Sequence, residues 1–371
     1  MTRRPLQIVQ AAAFPFPSPQ GSQVYVRGMA RALARRGHDV TVACYAHGIG
    51  DPDPEYRVVR TPSVPGYGNV RAGPDLVKPL LDAALAFRIS GLRADIIHAH
   101  NYEAPIAAAL ARLRTGTPVV YNAHNTMAEE LHTYFEGPLA RRLARQIGCA
   151  LDRTVPRLSA HAIAISEPAV PVLEGLGCRR VTHVPPGVDP MDLPATVPEP
   201  LPAGPWVVYA GNPDRYQDLD VLVEAMRQVP EAGLLMVSAS PLDEWSDCGL
   251  SRLHLVRTSE FARVRALLAA SAVAALPRAV CSGYPIKLLN YLGMGLPTVA
   301  AHGSAQDLPG VVPVPDRDPG AMASAIRSLL RDSERRRRLG RDARAHVLAH
   351  CTWDARAAEL EAVYAEVLDA A

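Results

Sequence analysis

The sequence predicts an α/β protein of two doubly wound, Rossmann-like domains facing each other across a cleft. Three observations lead there. Short β-branched runs alternate with helical patterns throughout the 371 residues, which is how βαβ units around parallel sheets read. The runs fall into two sets, parted by PPGVDPMDLPATVPEPLPAGP (185–205), where 8 of 21 residues are Pro. No helix or central strand sustains that density of proline, so the stretch reads as a connection. A content of 48 % apolar and 20 % charged residues gives a globular chain long enough to bury two cores.

The strands expected in the first half are LQIVQAA (6–12), DVTVAC (39–44), YRVVRT (56–61), ADIIHAH (94–100), PVVYNAH (118–124), HAIAIS (161–166) and VTHVP (181–185). Those of the second half are WVVYAG (206–211), GLLMVSAS (233–240), RLHLVRT (252–258), AVAALPR (272–278) and LPTVAA (296–301). The domains are drawn at 1–187, a Pro-rich linker 188–205, 206–350, and a terminal helix 351–371. Ligands of such sheets bind outside the carboxyl ends of the strands.

Net charge is +2, but residues 1–190 hold 21 Lys and Arg against 15 Asp and Glu, while 191–371 hold 18 against 22. A basic first half suits an anionic acceptor or an anionic membrane surface; solvated arginine on helix faces explains the same imbalance. Six scattered cysteines form no CxxC or Cys/His cluster, so reduced structural thiols are expected and neither a disulfide framework nor a zinc site is. No apolar run approaches the ~20 residues of a membrane span. The expected setting is cytoplasmic, with a peripheral place at the inner membrane face as the alternative.

Two stretches join a strand or turn to a helix start, where free backbone N–H groups and the positive helix end attract anions. In PSPQGSQVYVRGMARAL the helix begins near Gly21 and Ser22. In CSGYPIKLLNYLGMGLPTVA (281–300), Ser282 and Gly283 turn the chain, Tyr284 follows, Pro285 suits a helix start, and Gly295 and Pro297 end the helix. A diphosphate is the expected guest of both. Lys287, in the first helical turn, is one of only two lysines, with Lys78, among 39 basic residues.

The order of these stretches, with HAIAISEPAVPVLEGLGCRRVTHVPPGVD (161–189), WVVYAGNPDRYQDLDVLVEAM (206–226) and CTWDARAAELEAVYAEVL (351–368), resembles the family 4 retaining glycosyltransferases of the GT-B architecture over nearly the whole chain. The resemblance implies a nucleotide-diphosphate-sugar donor, most readily a UDP-sugar, and a hydroxyl acceptor on a saccharide, a lipid-linked sugar or a small molecule. It implies no metal or other cofactor, and a terminal helix that crosses back to the first domain. It implies, too, a same-face attack in which the leaving phosphate itself takes the acceptor proton. Here the chain departs from the family: the two glutamates that span the second loop and helix read Ser282 and Asn290. The Arg and Lys after the strand-ending Gly211 read Asn212 and Gln217. With both charge signs lost together, a rewired donor site is expected, in which Lys287, Arg278 and Arg215 supply the cations. His124, at the end of PVVYNAH, matches the family histidine beside the donor sugar; Asn101 and Glu103 are candidate acceptor contacts.

Other chemistries fit less well. Asp51-Pro52-Asp53 has the letters of a metal-diphosphate motif but lies in a Gly/Pro-rich loop before a strand. Gly293-Met294-Gly295 falls at a helix end, against a dinucleotide site, and no nucleophile elbow occurs. Cys281 reads as a packed turn cysteine. GPLARRLARQIGCALDRTVPRLSA (137–160) places Leu139, Leu143, Ile147, Leu151, Val155 and Leu158 on one stripe of a basic amphipathic helix, expected to pack on the core with its arginines solvated, with contact to a membrane surface as the alternative. Glu129 and Glu130 are expected to cap or decorate the helix near Met127. The competing function classes are a non-catalytic sugar-nucleotide-binding partner protein and a nucleotide-sugar epimerase.

Overall fold

The computed structural model describes residues 4–18, 21–48, 50, 53–64, 75, 77–124, 126–280 and 283–371. Its first compact unit runs to Gly187 and takes in Gly283, Tyr284 and Trp353–Ala371; the second holds Val188 to Val280 and Pro285 to Thr352.

In the first unit the elements run β1 (Gln7–Pro15), α1 (Gly21–Arg35), β2 (Asp39–Tyr45), β3 (Arg57–Arg60), α2 (Lys78–Ser90), β4 (Ile96–His100), α3 (Glu103–Thr115), β5 (Val119–Ala123), α4 (Met127–Glu130), α5 (Pro138–Thr154), β6 (His161–Ala164), α6 (Ala169–Gly175) and β7 (Val181–His183). The sheet is parallel, in the order β3-β2-β1-β4-β5-β6-β7. β1, β4 and β5 are buried almost throughout, as parallel strands covered on both faces must be.

The second unit runs β8 (Trp206–Ala210), α7 (Leu219–Arg227), β9 (Gly233–Ser238), β10 (Leu253–Arg257), α8 (Phe261–Ala269), β11 (Val273–Leu276), α9 (Ile286–Gly293), β12 (Thr298–Ala301), β13 (Val311–Val314), α10 (Pro319–Arg331) and α11 (Ser333–His350). Its parallel sheet has the order β10-β9-β8-β11-β12-β13. Both sheets therefore carry the doubly wound order, with a switch point between β1 and β4 and another between β8 and β11.

α12 (Trp353–Asp369) belongs to the first unit, where Trp353, Ala357, Leu360, Val363, Tyr364 and Val367 join the core of β1 and α1. Gly28 on α1 is the reason the two helices approach so closely: a Cβ there would overlap the indole of Trp353. That indole stands edge-on to Tyr25 at 5.1 Å.

Four details differ from the sequence expectation. β13 was not foreseen, because Pro313 interrupts its apolar run; proline is tolerated there on the edge of the sheet. Residues 188–205 are not a bare linker but lie strapped to the second unit. There Val188 N–H donates to Cys351 O at 2.8 Å, Leu193 is buried, Arg344 donates to Leu193 O at 2.9 Å, and Arg263 pairs with Glu199 at 2.9 Å.

The other two concern α5. Its leucine stripe faces solvent instead of the core: Leu139 is 80 % exposed, Leu143 56 % and Ile147 48 %, and only Val155, just beyond the helix, is fully buried. The buried face is Ala144, Gly148 and Asp152. A Cβ on Gly148 would strike the backbone of Met127, so this face must be small to dock against α4. The Asp152 carboxylate accepts from Met127 N–H at 2.8 Å and Ala128 N–H at 2.9 Å, and from the Tyr102 hydroxyl. Asp152 is thus the cap of α4, a partner remote in sequence, and it neutralises the positive end of that short helix. Glu130 decorates the helix, accepting from the Tyr134 hydroxyl at 2.7 Å.

Candidate active site

The switch point of the second unit gathers most of the residues foreseen for the donor. Gly211 and Asn212 follow β8, Arg278 follows β11, and Lys287 reaches in from the first turn of α9. Lys287 Nζ donates to the Tyr209 hydroxyl at 2.8 Å and to Gln217 Oε1 at 2.9 Å, lying 4.5 Å from the Tyr209 ring centroid. Burial pushes the Tyr209 phenol up, so it keeps its proton and donates a hydrogen bond to Asn212 O at 2.6 Å. Gln217 Nε2 donates to Asn212 Oδ1 at 3.2 Å; Asn212 Nδ2 donates to the Tyr216 hydroxyl at 3.0 Å and to Asp214. The ammonium therefore lies against Gln217, one of the two positions where the sequence lacks its expected cation. Gly211 leaves room for it: an added Cβ would meet Lys287 Nζ at 2.6 Å and displace the ammonium from this place.

The strand end beneath is fixed by Tyr291, whose hydroxyl accepts from Ala210 N–H at 2.7 Å and donates to Ala210 O at 2.9 Å. Arg278 is held over the Tyr216 ring, 4.8 Å from its centroid, with Nε donating to Val280 O at 2.6 Å. Its loop is pinned by Ala279 N–H to Asp218 Oδ2 at 2.8 Å and by the Ser304 hydroxyl to Arg278 O at 2.8 Å. Asp218 adopts a left-handed φ of 52° to make that link. Two cations, Lys287 and Arg278, are thus anchored on one turn, Arg215–Gln217; Arg215 itself is exposed there. Asn290 is half-buried, just under one turn from Lys287 on α9. Ser282 lies outside the described residues, as do Cys281, Asp51 and Pro52. Gly283 and Tyr284 group with the first unit, Tyr284 packing against its core.

In the first unit α1 begins at Gly21, as expected. The turn does not need the glycine: its φ is not positive and an added Cβ meets no described atom within 4 Å. Ser22 reaches Asn101 through a long 3.5 Å contact. Asn101, at the end of β4, holds a left-handed φ of 61°, which asparagine adopts more readily than most residues. Glu103 pairs with Lys78 at 3.0 Å.

His124 is buried and joined to a chain that the sequence did not disclose. His98 Nε2 donates to Asn122 Oδ1 at 3.3 Å, so its Nδ1 accepts from the Tyr364 hydroxyl at 2.7 Å. His100 Nε2 donates to Gln10 Oε1 at 2.5 Å, so its Nδ1 accepts from His124 Nε2 at 3.2 Å. His124 is then a neutral imidazole with the lone pair on Nδ1. Burial is the cause of this neutrality: it pushes His98 and His124 down to about 3 and His100 well below its ordinary value. Such groups bind protons in the unfolded chain but not in the folded one, so stability is complete above pH 6.5 and is lost as pH falls below it. Urea unfolding at pH 6.5 and 5.5 is expected to show a loss of at least about 1 kcal/mol. Asp82, which burial raises to about 6, works in the opposite sense as pH falls below that value. Unchanged stability would mean that the histidines are solvated.

Among the described residues no group of three His, Cys, Asp or Glu is placed to hold a metal ion. Residues 19–191 match the model of Glycosyltransferase Family 4 and residues 204–332 that of Glycosyl transferases group 1. A D-inositol 3-phosphate glycosyltransferase of Xylanimonas cellulosilytica is 29 % identical over 93 % of this chain and 91 % of its own. One from Segniliparus rotundus is 28 % identical over 94 % and 85 %. Among solved structures, sucrose-phosphate synthase from Thermosynechococcus elongatus superposes with a TM-score of 0.83 at 18 % identity, covering 98 % of this chain and 100 % of its own. Anabaena HepE in complex with UDP and glucose gives 0.71 at 14 % identity, covering 97 % and 99 %.

Proposed function

The chain belongs to glycosyltransferase family 4 and performs glycosyl transfer, and on that premise we propose a retaining, metal-independent enzyme that uses a nucleotide-diphosphate sugar. The observation that carries this reading is the ammonium of Lys287 on Gln217, above Gly211. A departing diphosphate gains negative charge as the glycosidic C–O bond breaks, and a preorganised cation there stabilises the transition state more than the ground state. Lys287, Arg278 and Arg215, with the N-terminus of α9, supply that charge where other enzymes use a metal. The C1–O bond to phosphate breaks while the C1–O bond to the acceptor forms on the same face. The acceptor proton passes to the released phosphate oxygen.

Gly211, Asn212, Gln217, Ser282, Gly283 and Tyr284 line the donor, and Asn290 offers its amide to the ribose. Gly21 and Ser22 present the N-terminus of α1 to the diphosphate; the open space over Gly21 suits such an approach. His124, neutral with a lone pair on Nδ1, accepts a hydrogen bond from a sugar or acceptor hydroxyl rather than serving as a cation. Asn101 and Glu103 receive the acceptor. The UDP and glucose named for HepE favour a UDP-sugar, and relatives named for an inositol phosphate favour a small polyhydroxylated acceptor. The setting we propose is cytosolic, in keeping with the free thiols of Cys44, Cys149, Cys178, Cys248 and Cys351.

Incubation with UDP-sugars should release UDP, with the α-anomer of the donor kept in the product by proton NMR, and chelator should leave the rate unchanged. Activity abolished by chelator and restored by Mg²⁺ would overturn metal independence; donor binding with no turnover would leave a partner protein, and interconversion of nucleotide sugars an epimerase. Asn290→Ala is expected to weaken donor binding about 5- to 10-fold, the scale of one lost hydrogen bond, with little change in kcat, since the ribose carries no developing charge. A calorimetric Kd equal to that of the unaltered protein would remove Asn290 from the ribose.

A further inference from the structure

We propose that the outward face of α5 docks onto an anionic lipid surface. That face divides lengthwise. Leu139, Leu143 and Ile147 form an exposed apolar strip, and beside it Arg142, Arg145 and Arg153 line a shallow open groove with Gln146 and Cys149. Its one acidic residue, Asp152, is turned inward as the cap of α4, so the exposed face is uniformly basic. At the helix start Tyr134 and Phe135 are also exposed, the turn tied to α5 by Arg141 Nε donating to Phe135 O at 3.0 Å. Aromatic side chains at one end, an apolar strip and flanking arginines are the make-up of a helix that lies in the plane of a membrane interface. No described helix is long and apolar enough to cross one.

Charge decides between occupants. A second copy meeting this face symmetrically would oppose Arg142, Arg145 and Arg153 to their own equivalents, whereas anionic headgroups neutralise the arginines while acyl chains cover the leucines. The proposal does not depend on the donor chemistry, because none of these residues belongs to the candidate active site.

The test is co-sedimentation of the full chain with phosphatidylcholine vesicles containing or lacking phosphatidylglycerol. Binding is expected only with phosphatidylglycerol and should weaken with salt. Replacing the three arginines, R142Q/R145Q/R153Q, should weaken it about a hundredfold, at about fivefold per arginine near an anionic surface. L139S/L143S/I147S should also release the protein, and both variants should keep their melting temperature and their rate of UDP release from a soluble donor. In the unaltered protein, vesicles should shield 138–154 from hydrogen exchange. Absence of binding to phosphatidylglycerol vesicles, binding undiminished in both variants, unchanged exchange over 138–154, or a concentration-dependent dimer that the variants abolish would each overturn the proposal. UDP release that persists in any of those cases would leave the transferase reading standing.

Discussion

Lys287→Ala should lower kcat by about 10²-fold, the loss measured when a single electrostatic group is withdrawn from a developing charge. The argument rests on where the ammonium is held. Tyr209 and Gln217 fix it by hydrogen bonds of 2.8 and 2.9 Å, and Gly211 leaves it the space, so it meets the diphosphate already oriented. Donor affinity should also fall, by less, because the bound donor carries less charge at that oxygen than the leaving diphosphate does. Lys287→Arg should recover little: a planar guanidinium is bulkier than the hollow and cannot donate to Tyr209 and Gln217 from one point. The readout is steady-state UDP release, with kcat and KM taken separately, on protein whose melting temperature is unchanged. Turnover untouched in Lys287→Ala would sink the rewired site and favour the partner-protein reading.

Trp353→Ala should cost about 3–5 kcal/mol of stability in the first unit, as large aromatic truncations in cores do. The indole is 7 % exposed, fills the hollow over Gly28 and stands edge-on to Tyr25, whose hydroxyl donates to Asn122 Oδ1 at 3.2 Å. Gly28 cannot close the hollow from its side, so the void persists. Chemical denaturation read by near-ultraviolet circular dichroism measures it. A loss below about 1 kcal/mol would show that α12 melts independently of the sheet.

Much of this architecture can be read from the sequence because parallel strands announce themselves as apolar runs; β13 could not, since its Pro313 reads as a breaker until the strand is seen to lie on an edge. The charge exchange at Asn212, Gln217 and Lys287 was legible as composition. Its wiring was not: Tyr209 sits in the run WVVYAG and looks like core, yet its hydroxyl holds the ammonium. The histidines of HAH and NAH were equally visible one by one. What joins His100 to His124 is the parallel pairing of β4 with β5, His100 beside Asn122, which a linear pattern does not contain. The face buried by α5 was misread because periodicity counts methylenes, while Gly148 and Asp152 choose by close approach and by charge.

That choice leaves α5 frustrated. Hydrophobicity alone would roll the helix about its axis until Leu139, Leu143 and Ile147 faced inward. One carboxylate and one missing methyl group hold it against that torque. The folded state here is decided by a polar key rather than by the greatest burial, and the unused apolar surface is a standing bias toward whatever can cover it. Asp152→Leu, in removing the key, would let the helix relax toward its own pattern and turn the arginines to a new side.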